Sequence, residues 1–274
     1  MKITETEIFV GAMSPFRAVH MSDTHFTLAD ERDEERKRGQ AGRRRVHFPH
    51  SEETCELGCR TARELGCPIL HTGDFIDSIS EANLDAVRRF THENDVFYAA
   101  GNHDFCLYVG EGDENAEYRN ISLARVQSCH RNDIRMSSRI INGVNFVALD
   151  DGYFRFEAEQ TEFLKREAEK GLPIVLLIHK PIYDPSIFEF SERTHRSGGL
   201  VGIPDKILQY WDEEKRREVC PDADTVEAVA YIKSERLIKA IVAGHFHENY
   251  EGADENGTPV VLTDCETVRV ITFK

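Results

Sequence analysis

Short apolar runs recur along the chain, and most of them stop at a polar residue. The runs 16–21, 68–71, 96–100, 174–178 and 240–243 are aliphatic or β-branched and read as buried strands. Longer stretches at 51–65, 81–92, 157–170 and 225–238 have a helical spacing of apolar positions. Ser51 with Thr54, and Ser80 ahead of Glu81, supply side chains suited to helix N-termini. Strands alternating with helices predict an α/β protein built on central sheets. The runs 139–141 and 144–149 flank Asn142-Gly143, a pair that favours a type I′ hairpin turn. The runs 259–263 and 268–273 read as further strands of antiparallel character, so the sheets are expected to be mixed. No repeat, low-complexity segment or Pro/Gly/Ser-rich linker interrupts the pattern, which predicts a single domain over 1–274.

Composition narrows the partners. The chain is 40% hydrophobic, enough for a substantial core, and its 34 Lys and Arg against 49 Asp and Glu give a net charge of -15. That balance argues against coating DNA or an anionic membrane, which relies on clustered positive charge, and there is no extended basic track for a polynucleotide. No apolar run reaches the roughly 20 residues that span a bilayer, and the first residues lack a secretory h-region. Of the seven cysteines, Cys55, Cys59 and Cys67 lack paired Cys-x-x-Cys spacing, so free thiols in a reducing cytoplasm are expected rather than a structural zinc. A local positive site remains compatible with the acidic total.

The strand ends carry the chemistry. They finish in Asp23 and His25, in Asp74, in Asn102, His103 and Asp104, in His179, and in His245 and His247. These are the residue types that bind hard or borderline divalent metals. In open α/β sheets ligands lie beyond the carboxyl ends of strands, so residues from separate ends can converge. Extended backbone would turn Asp23 and His25 to one face, and likewise His245 and His247. The glycines before Asp74, Asn102 and His245 permit tight turns as the chain leaves each strand.

Asp23-Thr24-His25, Gly73-Asp74-Phe75-Ile76-Asp77, Gly101-Asn102-His103-Asp104, His179 and Gly244-His245-Phe246-His247 resemble the complete motif set of the calcineurin-like metallophosphoesterases. The resemblance spans 23–247. It implies a metallo-dependent phosphatase fold, a four-layer α/β/β/α sandwich of two mixed sheets, with two metals drawn from iron, manganese and zinc. Carried over, one metal would be held by Asp23, His25, Asp74 and His247. The other would be held by Asp74, Asn102, His179 and His245, with Asp74 bridging. A hydroxide shared by the metals would attack the phosphate, His103 would assist the leaving oxygen, and Asp104 would orient His103 through a hydrogen bond. Two divalent ions, two carboxylates and one hydroxide sum to about +1, so the cluster would attract a phosphate even in an acidic protein.

The substrate implied is a small phosphodiester or phosphomonoester. Protein phosphatases of the superfamily usually continue the second motif with Arg-Gly and have Glu after the Asn-His. Here Asp77 is followed by Ser78-Ile79, and Asp104 replaces the Glu. The look is closer to the bacterial branch that includes cyclic-nucleotide phosphodiesterases. The alternatives are a phosphoprotein phosphatase, a nuclease, or a non-catalytic scaffold that keeps its metals. Two insertions bear on specificity. A charged one at about 30–50 contains Arg43, Arg44 and Arg45, whose planar forks suit a phosphate or carboxylate, although a solvated loop explains such charge equally. A second, at about 184–224, is long and reads as an irregular lid. Its Phe188, Phe190, Tyr210 and Trp211 either stack on a substrate or pack the lid onto the body. Oligomeric state has no signature in the sequence.

Overall fold

The computed structural model describes residues 1–111, 115–194 and 198–274, and its apolar runs form two sheets. The first is ordered β1 (Lys2–Ile8), β11 (Thr267–Phe273), β2 (Phe16–Met21), β3 (Ile69–His71), β4 (Val96–Tyr98). The second is ordered β5 (Met136–Ile141), β6 (Val144–Leu149), β7 (Ile174–Leu177), β8 (Ile238–Ala243), β10 (Pro259–Leu262), β9 (Tyr250–Ala253). Strands β2, β3 and β4 run parallel, as do β6, β7, β8 and β10. Antiparallel pairs join β11 to β2, β5 to β6 and β9 to β10, so both sheets are mixed. Asn142 and Gly143 at the β5–β6 turn have φ 48 and φ 79, the left-handed pair a type I′ turn requires.

Helices cover the outer faces. In chain order they are α1 (Glu35–Arg44), α2 (Ser51–Leu65), α3 (Glu81–Glu93), α4 (Ala116–Gln127), α5 (Ala158–Ala168), α6 (Pro185–Arg193), α7 (Asp205–Leu208), α8 (Glu213–Val219) and α9 (Ala223–Ser234). Cys55, Ala62, Val87, Phe90 and Val126 of α2, α3 and α4 pack with Val19, Ile69 and Tyr98 of the first sheet. Leu164 and Ala168 of α5 and Ala228 and Ile232 of α9 pack with Val147, Leu176 and Ile241 of the second. Between the sheets Leu70, Phe97, Phe146, Val175, Val242 and Phe273 form a third core. Each such side chain contributes about 1.5–3 kcal/mol by leaving water. The result is the four-layer α/β/β/α sandwich. All seven cysteines are free thiols. No helix among the described residues is long and apolar enough to cross a membrane.

One local expectation holds and others are corrected. The Ser80 hydroxyl accepts from the Asn83 N–H at 3.0 Å and caps α3, worth about 1 kcal/mol. Ser51 is no cap: it lies inside α2, and its hydroxyl donates to the carbonyls of His25 (3.1 Å) and Phe48 (3.0 Å). Strand β1 escapes the apolar pattern because it is an edge strand whose odd positions face solvent. The 30–50 insertion is ordered as α1 and a short 3-10 turn, Arg45–His47. The 184–224 segment is not irregular, since α6, α7 and α8 occupy it; residues 195–197 lie outside those described.

Candidate metal centre

The loops leaving β2, β3, β7 and β8 are bonded to one another by their backbones. Asp23 N–H donates to the Gly73 carbonyl at 3.0 Å, His25 N–H to Asp74 at 2.9 Å, and Gly244 N–H to His179 at 3.0 Å. The convergence does not come from extended backbone. Asp23 (φ 54), His25 (φ 46), Asp74 (φ 54), His245 (φ 70) and His247 (φ 52) are all left-handed. That conformation costs L-residues roughly 1–2 kcal/mol each and is retained where function requires it. Two glycines serve close approach more than turning. A Cβ on Gly101 would lie 2.2 Å from Asp74 Oδ1, and one on Gly244 would lie 2.3 Å from Asp23 Oδ2. Those carboxylates are seated by backbone donors, Asp23 Oδ2 by His245 N–H (2.8 Å) and Asp74 Oδ1 by His103 N–H (2.8 Å).

The remaining oxygens face imidazoles. Asp23 Oδ1 is buried with no hydrogen-bond partner among the described residues. Around it stand Nε2 of His247 at 3.4 Å, of His25 at 3.8 Å and of His179 at 4.0 Å. Asp74 Oδ2 lies 3.1 Å from His179 Nε2 and 3.7 Å from His25 Nε2. The His25 and His247 Nε2 atoms are 3.1 Å apart, and His245 Nδ1 is 3.2 Å from His179 Nε2. Asp23, His25 and His247 thus form one group of mutually close donors, and Asp74, His179 and His245 another. Second contacts fix ring orientation. His179 Nδ1 donates to the Thr72 carbonyl at 2.7 Å, which turns Nε2 toward Asp74 and makes it the ring atom available to a cation. His25 Nδ1 lies 3.2 Å from Asp77 Oδ1. A buried orphan carboxylate oxygen ringed by imidazole nitrogens fits a divalent cation, and the two groups fit a pair of them.

The electrostatics agree. Burial alone would raise the carboxyls of Asp23 and Asp74, yet surrounding imidazoles, His179 first, hold both well below the ordinary range. Burial would likewise depress His25, but Asp23, Asp77 and Asp74 push it up to about 10. His179 is pushed up to about 9 by Asp74 and Asp23 against the same burial. The pocket therefore favours positive charge among its carboxylates.

Above the donors lies a cavity of about 430 Å³. Asn102, His103, His245 and His247 line it, with Arg44 and Phe48 from the charged insertion and Lys215 from α8. Of the insertion's arginines only Arg44 lines the cavity; it grips both oxygens of Asp77 at 2.8 Å. Arg45 pairs with Glu52 at the surface, 3.3 Å away. Asp104 does not orient His103. Its carboxylate accepts from the N–H groups of Asp74, Phe75 and Gly101 and from the Tyr98 hydroxyl at 2.7–3.1 Å, so it is engaged by the segments after β3 and β4 and not by the His103 ring. His103 Nδ1 is held by Asp77 instead, 2.8 Å from its carbonyl oxygen. Sequence reasoning also missed Phe48, which stacks on His25 at 4.1 Å, and Lys180, whose Nζ is 2.8 Å from Asn102 Oδ1. Neither has a spacing signal, since one arrives from a distant insertion and the other merely follows a histidine.

The calcineurin-like phosphoesterase family model matches residues 16–249, and the chain belongs to that family. It is a metal-dependent phosphoric ester hydrolase. No curated protein matches the sequence significantly. Among solved structures, a dimetal phosphatase from Danio rerio is similar with a TM-score of 0.53 at 13% identity, over 91% of this chain and 88% of that one. A putative 5'-nucleotidase from Staphylococcus aureus has a TM-score of 0.49 at 13% identity, over 92% of this chain and 49% of that one. At 13% identity the likeness to the Danio rerio structure is one of fold.

Proposed function

We propose that this chain hydrolyses a small phosphomonoester or phosphodiester at two metal ions. Asp23, His25, Asp74 and His247 would hold one ion, and Asp74, Asn102, His179 and His245 the other. The observation that carries the reading is Asp74 Oδ2, buried between His25 Nε2 at 3.7 Å and His179 Nε2 at 3.1 Å. Manganese, iron or zinc suits this mixed oxygen and nitrogen donor set. When bound, such a pair supplies Lewis acidity toward the phosphoryl oxygens and an activated water.

The residues supply the rest. In hydrolysis a water oxygen bonds to phosphorus, and the bond from phosphorus to the leaving oxygen breaks. His103 lines the cavity, and its Nδ1 proton is committed to the Asp77 carbonyl, which can only accept. Its Nε2 is then the ring atom that, from the imidazolium form, gives a proton to the departing oxygen, and a proton shed by the attacking water would restore that form. Arg44 and Phe48 from the insertion, with Gly198, Gly199, Lys215 and Glu218 from the 184–224 segment, line the same cavity. That supports residues 1–274 working as one phosphoesterase domain whose insertions shape specificity.

The test is turnover of p-nitrophenyl phosphate, bis-(p-nitrophenyl) phosphate and cyclic AMP by manganese-loaded protein. Hydrolysis of at least one ester, abolished by chelation, is the expected result. Metal binding without turnover of any ester would leave a scaffold, and turnover only of phosphoproteins or polynucleotides would move the substrate class.

A further inference from the structure

Lys180 is a site residue that the reading above leaves without work. It follows His179 beyond β7 and is only 1% exposed. Lysine is almost never buried so deeply without an anionic partner, because desolvating an ammonium is costly. Its Nζ lies 2.8 Å from Asn102 Oδ1 and 3.5 and 3.4 Å from the two ring nitrogens of His245. The Phe154 ring covers it, with the centroid 4.0 Å away. Among the described residues none of these contacts is a carboxylate. Asp151 is the nearby carboxylate: its Oδ1 accepts from the N–H groups of His179 (3.0 Å) and Lys180 (3.1 Å), and the Lys180 charge acts on it through space without a hydrogen bond between the two side chains. Asp151 thus fixes the turn that buries Lys180.

Arg44, a cation of the 30–50 insertion at the same cavity, differs. Arg44 is neutralised by two hydrogen bonds from its guanidinium to Asp77. Lys180 has three N–H donors, of which Asn102 takes one, and the Phe154 ring favours positive charge without accepting a conventional hydrogen bond. It also lines the 430 Å³ cavity beside Asn102 and His245. An anion arriving there would meet an ammonium that is dry, fixed in place and, among the described residues, hydrogen-bonded to no carboxylate.

We infer that Lys180 grips a non-bridging phosphoryl oxygen and thereby selects phosphomonoesters, which carry two negative charges, over diesters, which carry one. The inference rests on the phosphoesterase reading and sharpens its substrate class. Charge matching supports it: the metal cluster counted at about +1 rises to about +2 with Lys180, the complement of a dianion. A lysine is a point charge with rotatable donors, suited to a phosphate oxygen that changes geometry during reaction.

The experiment compares wild type, K180M, K180Q and K180R after manganese loading and desalting. Activities on p-nitrophenyl phosphate and its bis ester are measured at pH 8, above the second phosphate pKa of about 6. Inorganic phosphate binding is measured by titration calorimetry, and metal content by elemental analysis. The monoester-to-diester ratio of kcat/KM should fall about tenfold or more in K180M and K180Q and recover in K180R, as the loss of a charge-assisted hydrogen bond implies. The phosphate Kd should rise by a similar factor with metal content unchanged. A ratio and a phosphate Kd both within about threefold of wild type would overturn the inference. So would losses that track an altered metal content, since Lys180 would then act on the metals. Should the loaded wild type hydrolyse neither ester, the parent reading fails, while the phosphate titration still decides whether Lys180 binds the anion.

Discussion

His103 Nδ1 lies 2.8 Å from the carbonyl oxygen of Asp77 and 3.5 Å from its carboxylate, while the same carboxylate faces His25 Nδ1 at 3.2 Å. One residue therefore positions both a candidate acid and a candidate metal ligand, and Arg44 locks it from the cavity side. Asp77→Asn should weaken metal affinity about 10–100-fold, the usual effect of removing a group that orients a ligand. Asp104→Ala should act on stability instead, because it strips the acceptor from three backbone N–H groups. At about 1–3 kcal/mol for an unsatisfied donor, its melting temperature should drop by several degrees. Equilibrium dialysis and thermal melts of both variants check the pair. An Asp104→Ala protein that melts normally yet loses its catalytic pH profile would return the orienting role to Asp104.

Arg44 should stand apart from its neighbours. Alanine at 44 removes a cavity cation and frees a buried carboxylate, so kcat/KM should fall about tenfold or more, in line with a lost charged hydrogen bond. Alanine at 43 or 45 should stay within about twofold, as exposed charges contribute little. Kinetics of the three single variants on one ester decide this. Equal losses at all three positions would point to the electrostatics of the whole insertion.

His130 links stability to pH away from the metal centre. It is buried against Tyr98, ring centroids 4.3 Å apart, and neither ring nitrogen has a hydrogen-bond partner among the described residues. Burial depresses its pKa to about 3. Because the folded value lies below the unfolded value of about 6.5, protonation favours the unfolded chain. Its contribution is complete above pH ~6.5 and is lost as the pH falls toward 3, at up to about 1.4 kcal/mol per unit. The stability lost between pH 7 and pH 5 should therefore be about 2 kcal/mol smaller in His130→Phe than in wild type, measured by urea unfolding at the two pH values. Identical losses in the two proteins would show that His130 keeps an ordinary pKa in the fold.

Much of this was legible in the sequence because strand ends combine two strong signals. The apolar runs located β2, β3, β4, β7 and β8, and the Asp, Asn and His residues that follow them meet at one place. What stayed hidden depends on backbone geometry or on distant segments. Alternation suggested extended pairs at Asp23/His25 and His245/His247, but the left-handed φ values there are imposed by neighbouring loops, not by local propensity. Asp104 sat beside His103 in the chain and was assigned to it, whereas backbone donors from other loops claim its oxygens. Phe48 and Lys215 reach the cavity from insertions whose composition reads as surface. The shift of His25 draws on Asp74 and Asp77 as well as on its neighbour Asp23, and that of His130 on burial, so neither is contained in a short window of sequence.

The central claim is that Asp74 joins two cation sites, and metal stoichiometry tests it most directly. Wild type and Asp74→Asn would be dialysed against manganese, and bound metal counted per chain by elemental analysis. The account predicts two ions per wild-type chain, with retention by Asp74→Asn reduced at both sites together. A single ion, or two ions held as tightly by Asp74→Asn as by wild type, would contradict it.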